Sequence, residues 1–352
     1  MTLRLVVDGD RWRQHLAGVA ASTPGLVPVA KGNGYGFGLA ALARRTQWLA
    51  DKGLGCDVLA VGTYSELDQV AGRCDADLLV LTPWRPFGAA LEVDPALADR
   101  VVHTVSRPED LTALAARDPH ARVVLELATS MLRHGMSGRE LRSLEVPRGI
   151  RLEGVALHLP LGQGSHLAEV DRLLNDVVAA GLQTHTVWVS HLSADELRTL
   201  RRDWPDYTVR PRIGTALWLG DRGALSVRAT VLDVHPVERG QLFGYRGRSA
   251  PKAGHLLVVS GGTAHGIGLE APTGDTSVRA RAATLARGGL DAVGFVRSPF
   301  SIDGKQRLFA EPPHMQASML FVPAGARLPE IGEDVDVRVR YTTTTFDRVE
   351  LD

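Results

Sequence analysis

Lysine is scarce in this 352-residue chain, and the scarcity gives each lysine chemical weight. Of 40 basic residues only Lys31, Lys52, Lys252 and Lys305 are lysine, which leaves 40 − 4 = 36 arginines. Arginine carries a permanent charge. A desolvated lysine amine can instead lose its proton and attack a carbonyl. Lys52 precedes the helix-ending Gly53, Lys252 lies in Ala-Pro-Lys-Ala-Gly, and Lys305 follows an Asp-Gly turn. Lys31 alone ends an apolar run, Pro28-Val29-Ala30, and opens into Gly32-Asn33-Gly34-Tyr35-Gly36-Phe37-Gly38. An amine there suits Schiff-base chemistry, although its position alone fits a snorkelling or salt-bridged lysine equally well.

Other chemistries find less support. The glycine run reads G-x-G-x-G-x-G, without the third glycine of a dinucleotide fingerprint and without the Gly-Lys-Ser/Thr of a P-loop. The chain contains neither H-E-x-x-H nor G-x-S-x-G. Two cysteines, Cys56 and Cys74, make neither a disulfide framework nor a zinc spacing, so a reducing cytoplasm and no metal are expected. Residues 1–12 lack the apolar core of a signal peptide, and no stretch approaches the ~18 apolar residues of a membrane helix. Forty acidic residues balance the basic ones, so neither nucleic acid nor an anionic membrane is an expected partner.

The elements that must position Lys31 alternate. Short apolar runs at 27–30, 58–61, 78–81, 101–105, 123–127, 154–158, 186–190 and 207–212 read as strands. Helix-compatible stretches lie between them at 39–52, 63–72, 108–117, 165–180 and 194–204, with caps such as Ser193 and Gly53. Parallel strands need crossover helices. A doubly wound open sheet also alternates in this way, but eight βα units in series favour a closed (β/α)8 TIM barrel, with Lys31 at its catalytic, C-terminal end. After Gly223 strand-like segments crowd together at 226–235, 255–260, 278–285, 290–296, 306–309, 319–322 and 335–341, an all-β pattern. The expected fold is therefore α/β plus all-β: an N-terminal strand (1–11) packing on the C-terminal domain, a barrel (12–223) and a C-terminal β domain (224–352).

The stretch Val29-Ala30-Lys31-Gly32-Asn33-Gly34-Tyr35-Gly36-Phe37-Gly38 resembles the cofactor-lysine motif V-K-A-N-A-Y-G-H-G of the alanine racemase family. The resemblance extends over nearly the whole chain and thins after Gly220. It implies a fold-type III enzyme that uses pyridoxal 5'-phosphate, racemises an amino acid or amino-acid derivative, and works as a head-to-tail homodimer with shared active sites. Lys31 would carry the cofactor as a Schiff base, the internal aldimine, and Tyr35 would reach its phosphate. Thr129-Ser130-Met131-Leu132-Arg133-His134-Gly135 resembles T-G-M-x-R-x-G, which puts Arg133 beside the cofactor's phenolic oxygen and the substrate carboxylate. His158 matches the histidine that packs on the pyridine ring. Arg212, in Arg212-Ile213-Gly214-Thr215-Ala216-Leu217, matches the arginine facing the ring nitrogen. Ser193, Gly214 and Thr215 match the phosphate site, which also lies where barrels bind phosphate, after strands seven and eight. Ser193 reads equally as a plain helix N-cap.

The chain departs from the family on the substrate side. The family's second base is a partner-subunit tyrosine in G-Y-x-D-G; here the stretch is Gly261-Gly262-Thr263-Ala264-His265-Gly266, with Thr263 at the tyrosine position. An unassisted hydroxyl is a poor base near neutrality. His265 is a candidate replacement, and a locally bonded loop histidine fits the same residues. Glu126 aligns with a lysine that is carbamylated in some members. Met315 retains the family's methionine, while Gln316 replaces its aspartate. Phe346 and Asp347 lie nearest the family's C-terminal tyrosine. The residues thus read as a divergent racemase lacking the catalytic tyrosine. The alternatives are a related enzyme with another substrate or one-base chemistry, and a non-catalytic cofactor-binding protein.

Overall fold

The computed structural model describes residues 2–162, 164–269 and 296–352. They divide into two compact units: 13–34 with 38–220, and 1–12 with 35–37 and 221–352. Strand β1 (Leu3–Val7) begins the second unit, and helix α1 (Gly9–Ser22) carries the chain into the first.

The first unit is the barrel. Strands β2 (Val27–Ala30), β3 (Val58–Val61), β4 (Asp77–Val80), β5 (Val101–Val105), β6 (Arg122–Leu127), β7 (Arg151–His158), β8 (Thr186–Ser190) and β9 (Thr208–Ile213) close in chain order, each parallel to the next. The return pairing of β2 with β9 completes the ring. All eight expected strands are present, four with the expected bounds and the others extended or shifted by up to three residues. Around them run α2 (Leu39–Asp51), α3 (Leu67–Val70), α4 (Pro108–Arg117), α5 (Gly138–Arg142), α6 (Leu167–Ala179), α7 (Ala194–Asp203) and α8 (Thr215–Leu219). The single helix expected over 63–72 is corrected: it breaks into 3-10 turns on either side of α3. Its Glu66 carboxylate binds the amides of Gly32 and Gly62, which holds the chain in a tight turn where a straight helix was expected.

Inside the barrel Val27, Val29, Val58, Ala60, Leu79, Val102, Val124, Ala156 and Trp188 form one apolar core. Fully burying a valine or leucine side chain stabilises by roughly 1.5–3 kcal/mol. These positions also set the phase of each strand. Strand side chains alternate with period two, so residues two places further on point to the same interior at the C-terminal mouth. From β2 that residue is Lys31, from β3 Gly62, from β6 Glu126, from β7 His158 and from β8 Ser190.

The second unit is an antiparallel β domain. It contains β10 (Leu225–Val237), the short hairpin β11 (Leu242–Phe243) and β12 (Arg248–Ser249), β13 (Gly254–Ser260), β14 (Arg297–Ile302), β15 (Lys305–Phe309), β16 (Ala317–Pro323), β17 (Asp334–Val337) and β18 (Arg348–Leu351). The order is β13-β16-β15-β14-β17-β10-β1-β18, and β13 also pairs with β10, closing six strands into a ring. Strand β1 lies antiparallel to β10 and parallel to β18, with Leu3, Leu5 and Val7 fully buried. The expected strand at 278–285, and all but the last residue of that at 290–296, lie outside the described residues. Among the described residues no helix is long and apolar enough to cross a membrane.

Candidate active site

Lys31 sits one residue beyond β2, and three neighbours fix it. Gly32 N–H donates to Glu66 Oε1 at 2.8 Å, while Gly62 N–H donates to Glu66 Oε2 at 2.6 Å. One carboxylate therefore ties the ends of β2 and β3 together. Gly62 has no room for a side chain: a Cβ there would lie 2.9 Å from the Lys31 Cβ. Lys31 is open to solvent at the barrel mouth. Even so, its amine is held below the usual lysine range, first by loss of hydration, then by repulsion from Arg133 and Arg212, with Glu66 opposing. The amine is thereby easier to deprotonate than any ordinary surface lysine.

Arg212 lies across the same mouth and is 6% exposed. Its Nη2 donates to the Leu157 carbonyl at 3.0 Å and to Ser190 Oγ at 3.4 Å, while its buried Nε has no hydrogen-bond partner among the described residues. Burial lowers it to about 10, with Glu126 opposing, so it remains a cation at neutral pH. His158 Nδ1 shares a 2.8 Å hydrogen bond with Ser190 Oγ. Burial, then Arg212 and Arg133, push His158 down to about 3, which fixes a neutral imidazole beside the cations. The His158 and His191 rings stand 5.0 Å apart.

Arg133 is carried by a hairpin-like loop between β6 and α5. Thr129 Oγ1 donates to the His158 carbonyl at 2.7 Å, and across the loop base Ala128 N–H donates to the Met136 carbonyl at 2.9 Å while Met136 N–H donates to that of Glu126 at 2.8 Å. Gly135 makes this closure possible: at φ +123°, a Cβ would meet the Ala128 nitrogen at 2.3 Å. Arg133 itself is exposed, with no hydrogen-bond partner among the described residues. Glu126 is 3% exposed with Oε2 unpartnered. Burial raises its carboxyl above the usual range, against the pull of Arg212, Arg133 and Arg85.

The other sequence candidates are placed as follows. Ser193 caps α7, its hydroxyl 2.8 Å from Glu196 Oε2. Against the upward push of burial, hydrogen bonds from the Ser193 and His166 amides and the Ser193 and Ser165 hydroxyls hold Glu196 at about 2. Gly214 and Thr215 begin α8, directly after Arg212 and Ile213. Tyr35 is buried with φ 55° and belongs to the β-domain unit. Thr263 and Met315, both exposed, also lie in that unit. His265 is 8% exposed: its Nδ1 accepts the Gly262 N–H at 3.2 Å, and Nε2 faces Asp347 Oδ1 at 3.2 Å. Both ring nitrogens are engaged, so His265 presents no open site for an α-proton, the role expected for it from the sequence. Lys31, Arg133, His158 and Arg212 thus share one unit and act electrostatically on one another. Glu66 and Gly62 escaped the sequence reading. Their only signal was the Thr63–Glu66 capping spacing, which says nothing of the distant Gly32 amide.

An eight-stranded parallel barrel with a depressed lysine at its C-terminal mouth, joined to an antiparallel β domain, defines a narrow class of protein. Residues 7–220 match the family described as alanine racemase, N-terminal domain. The chain belongs to the alanine racemase family. An alanine racemase of Nitratidesulfovibrio vulgaris is 26% identical over 290 residues, covering 72% of each chain. Solved alanine racemases share the fold. That of Bartonella henselae, with covalently bound pyridoxal phosphate, superposes with TM-score 0.71 at 16% identity over 100% of both chains. That of E. faecalis gives 0.68 at 18% identity over 99% of this chain and 98% of that one.

Proposed function

We propose that the protein is a pyridoxal-phosphate-dependent enzyme acting at the α-carbon of an amino acid, with racemisation as its reaction. The observation that carries this reading is the position of Lys31, one residue past β2 at the barrel mouth, where loss of hydration and then the charges of Arg133 and Arg212 lower its amine, in a chain of this family. The donor set suits an anionic aromatic aldehyde. Lys31 offers the amine, the buried unpartnered Nε of Arg212 offers a donor, and His158 offers a neutral ring. Arg133 offers an exposed guanidinium for a carboxylate, and Ser193, Gly214 and Thr215 offer phosphate donors. Ser193 must then share its hydroxyl with Glu196.

When bound, pyridoxal phosphate condenses with amines and withdraws electron density from the substrate α-carbon, which acidifies its hydrogen. This chain's residues do the rest. Arg212 stays protonated, and it would keep a ring nitrogen placed against it without a proton. Neutral His158 packs at the mouth without adding charge. Arg133 holds the substrate carboxylate, and Lys31 moves a proton on one face. Active sites shared across a head-to-tail homodimer would bring Thr263 and Met315 to the substrate. Thr263 in place of the family tyrosine, and Glu126 in place of its lysine, favour an amino acid other than alanine as a second reading.

α-Proton exchange in D2O, with L- and D-alanine and larger amino acids tested separately, checks the proposal. Exchange with inversion supports racemisation. Exchange with retention supports one-base chemistry. No exchange with any amino acid overturns the reading.

A further inference from the structure

The β domain contains another histidine, His314, whose environment differs from that of His265. Glu311 is 2% exposed, and its two oxygens are divided between two partners. Oε2 accepts the Tyr245 N–H at 3.0 Å, while Oε1 lies 2.7 Å from His314 Nε2. The turn that delivers the Tyr245 amide needs Gly244, which has φ +72° and would bring a Cβ to 2.2 Å from Glu311 Oε2. The His314 side chain keeps 31% exposure, and the Tyr245 ring stands edge-on to it at 4.8 Å. Among the described residues His314 Nδ1 has no hydrogen-bond partner. The backbone joins this group to the substrate-side loop: Thr263 N–H donates to the His314 carbonyl at 2.8 Å, and Ala264 N–H to that of Met315 at 2.9 Å.

An imidazole that donates one N–H to a buried carboxylate and leaves the other nitrogen bare has the form of a general base. The carboxylate fixes the tautomer and stabilises the imidazolium that forms on protonation. His265, two residues after Thr263, has both nitrogens engaged and lacks that form. Thr263 brings a hydroxyl that is a poor base.

We propose that His314, oriented by Glu311, is the proton-transfer residue on the face opposite Lys31, donated by one protomer to its partner's barrel. This rests on the racemase reading and its shared-site homodimer. In one direction Nδ1 of His314 takes the α-proton, and the C–H electron pair stays with the substrate. The protonated Lys31 of the other protomer then gives its Nζ proton to the opposite face of the same carbon. One base gains the proton that the other loses, and solvent exchange or the reverse turnover resets both.

The test uses His314→Gln, Glu311→Gln and Tyr245→Phe in the cofactor-loaded protein, reading racemisation and α-deuterium incorporation in each enantiomer. His314→Gln should lose racemisation by roughly 10²-fold or more. It should still exchange, with retention, the enantiomer whose α-proton faces Lys31. Glu311→Gln should fall in the same direction but less, and Tyr245→Phe should stay near wild type. Mixing Lys31→Ala with His314→Gln chains should restore activity, because the hybrid holds one complete site. In a separate readout, diethyl pyrocarbonate labelling of His314, followed by peptide mass, should slow several-fold when cofactor and amino acid are added to the wild type.

Undiminished racemisation by His314→Gln overturns the proposal, as does equal labelling of His314 with and without ligand. A wild type that racemises beside an equally active His314→Gln defeats this proposal alone. A wild type that exchanges no α-proton defeats the enzyme reading with it.

Discussion

The barrel mouth and the loop face of the β domain solve different problems with different parts of the chain. At the barrel mouth Lys31, Glu126, His158 and Arg212 stand on or just beyond strand ends, and Arg133 alone comes from a loop. There the pleat that packs Val29, Val124 and Ala156 inward aims Lys31, Glu126 and His158 along the same direction. Their charges are mutually tuned: loss of hydration and then two arginines depress an amine and an imidazole, while burial raises a carboxyl that the arginines pull down. On the β domain the corresponding residues stand on loops joined by a few backbone bonds, Thr263 to His314 and Ala264 to Met315. A strand-end site cannot move without disturbing the core, whereas a loop site can exchange residues at low cost. The difference explains why the barrel mouth keeps the family's motifs while the loop residues Thr263 and Gln316 depart from them.

Four substitutions or perturbations would break or sharpen that contrast. Lys31→Ala has the largest expected effect. It should abolish α-proton exchange of every substrate, measured in D2O, while the barrel keeps its melting behaviour. Gly62→Ala comes next, because its Cβ would press on the Lys31 Cβ at 2.9 Å and on Glu66 Oε2 at 3.0 Å. A displacement of about 1 Å at the reacting amine should cost roughly 10²-fold in kcat. Unchanged kinetics would show that the mouth is softer than its strand-end construction implies.

Acid should weaken the barrel through its buried histidines. His103, 7% exposed and 2.9 Å from the Tyr64 hydroxyl, is pushed by burial from 6.5 to about 4. The unfolded chain therefore binds a proton that the folded one refuses between those values, and stability falls as pH drops through that window. The full loss amounts to roughly 3 kcal/mol at about 1.4 kcal/mol per unit. His158 adds to it in the same direction. Urea midpoints from pH 7 to pH 4, for the wild type and His103→Gln, check the sign: the variant should show the flatter profile. The smallest effect belongs to His265→Gln, which should cost about 1 kcal/mol of stability for its lost hydrogen bonds while leaving proton exchange intact.

Much of the barrel was legible in the sequence because its signals are local. Apolar runs of four or five residues and the caps at Ser193 and Gly53 mark its elements, and the scarcity of lysine singles out Lys31. What escaped depends on residues far apart in the chain. The Glu66 carboxylate on the Gly32 amide turned an expected helix into short turns. Strand β18 is short and polar-edged, and its pairing with β1, at the other end of the chain, cannot be read from periodicity. Arg297–Ile302 contains Pro299, which lowers its strand signal. His314 and Glu311 are three residues apart, but their pairing gains chemical meaning only from the burial of Glu311 and the open Nδ1. The sequence offers His265 equally as a base or as a locally bonded loop histidine, because its bonds to Gly262 and Asp347 are not visible there.

The most direct measurement reduces the cofactor-loaded protein with borohydride and maps the lysine peptides by mass. The account predicts a pyridoxyl-phosphate adduct on Lys31, with Lys52, Lys252 and Lys305 unmodified. A protein that takes up no adduct, or takes it up on one of the other three lysines, would contradict it.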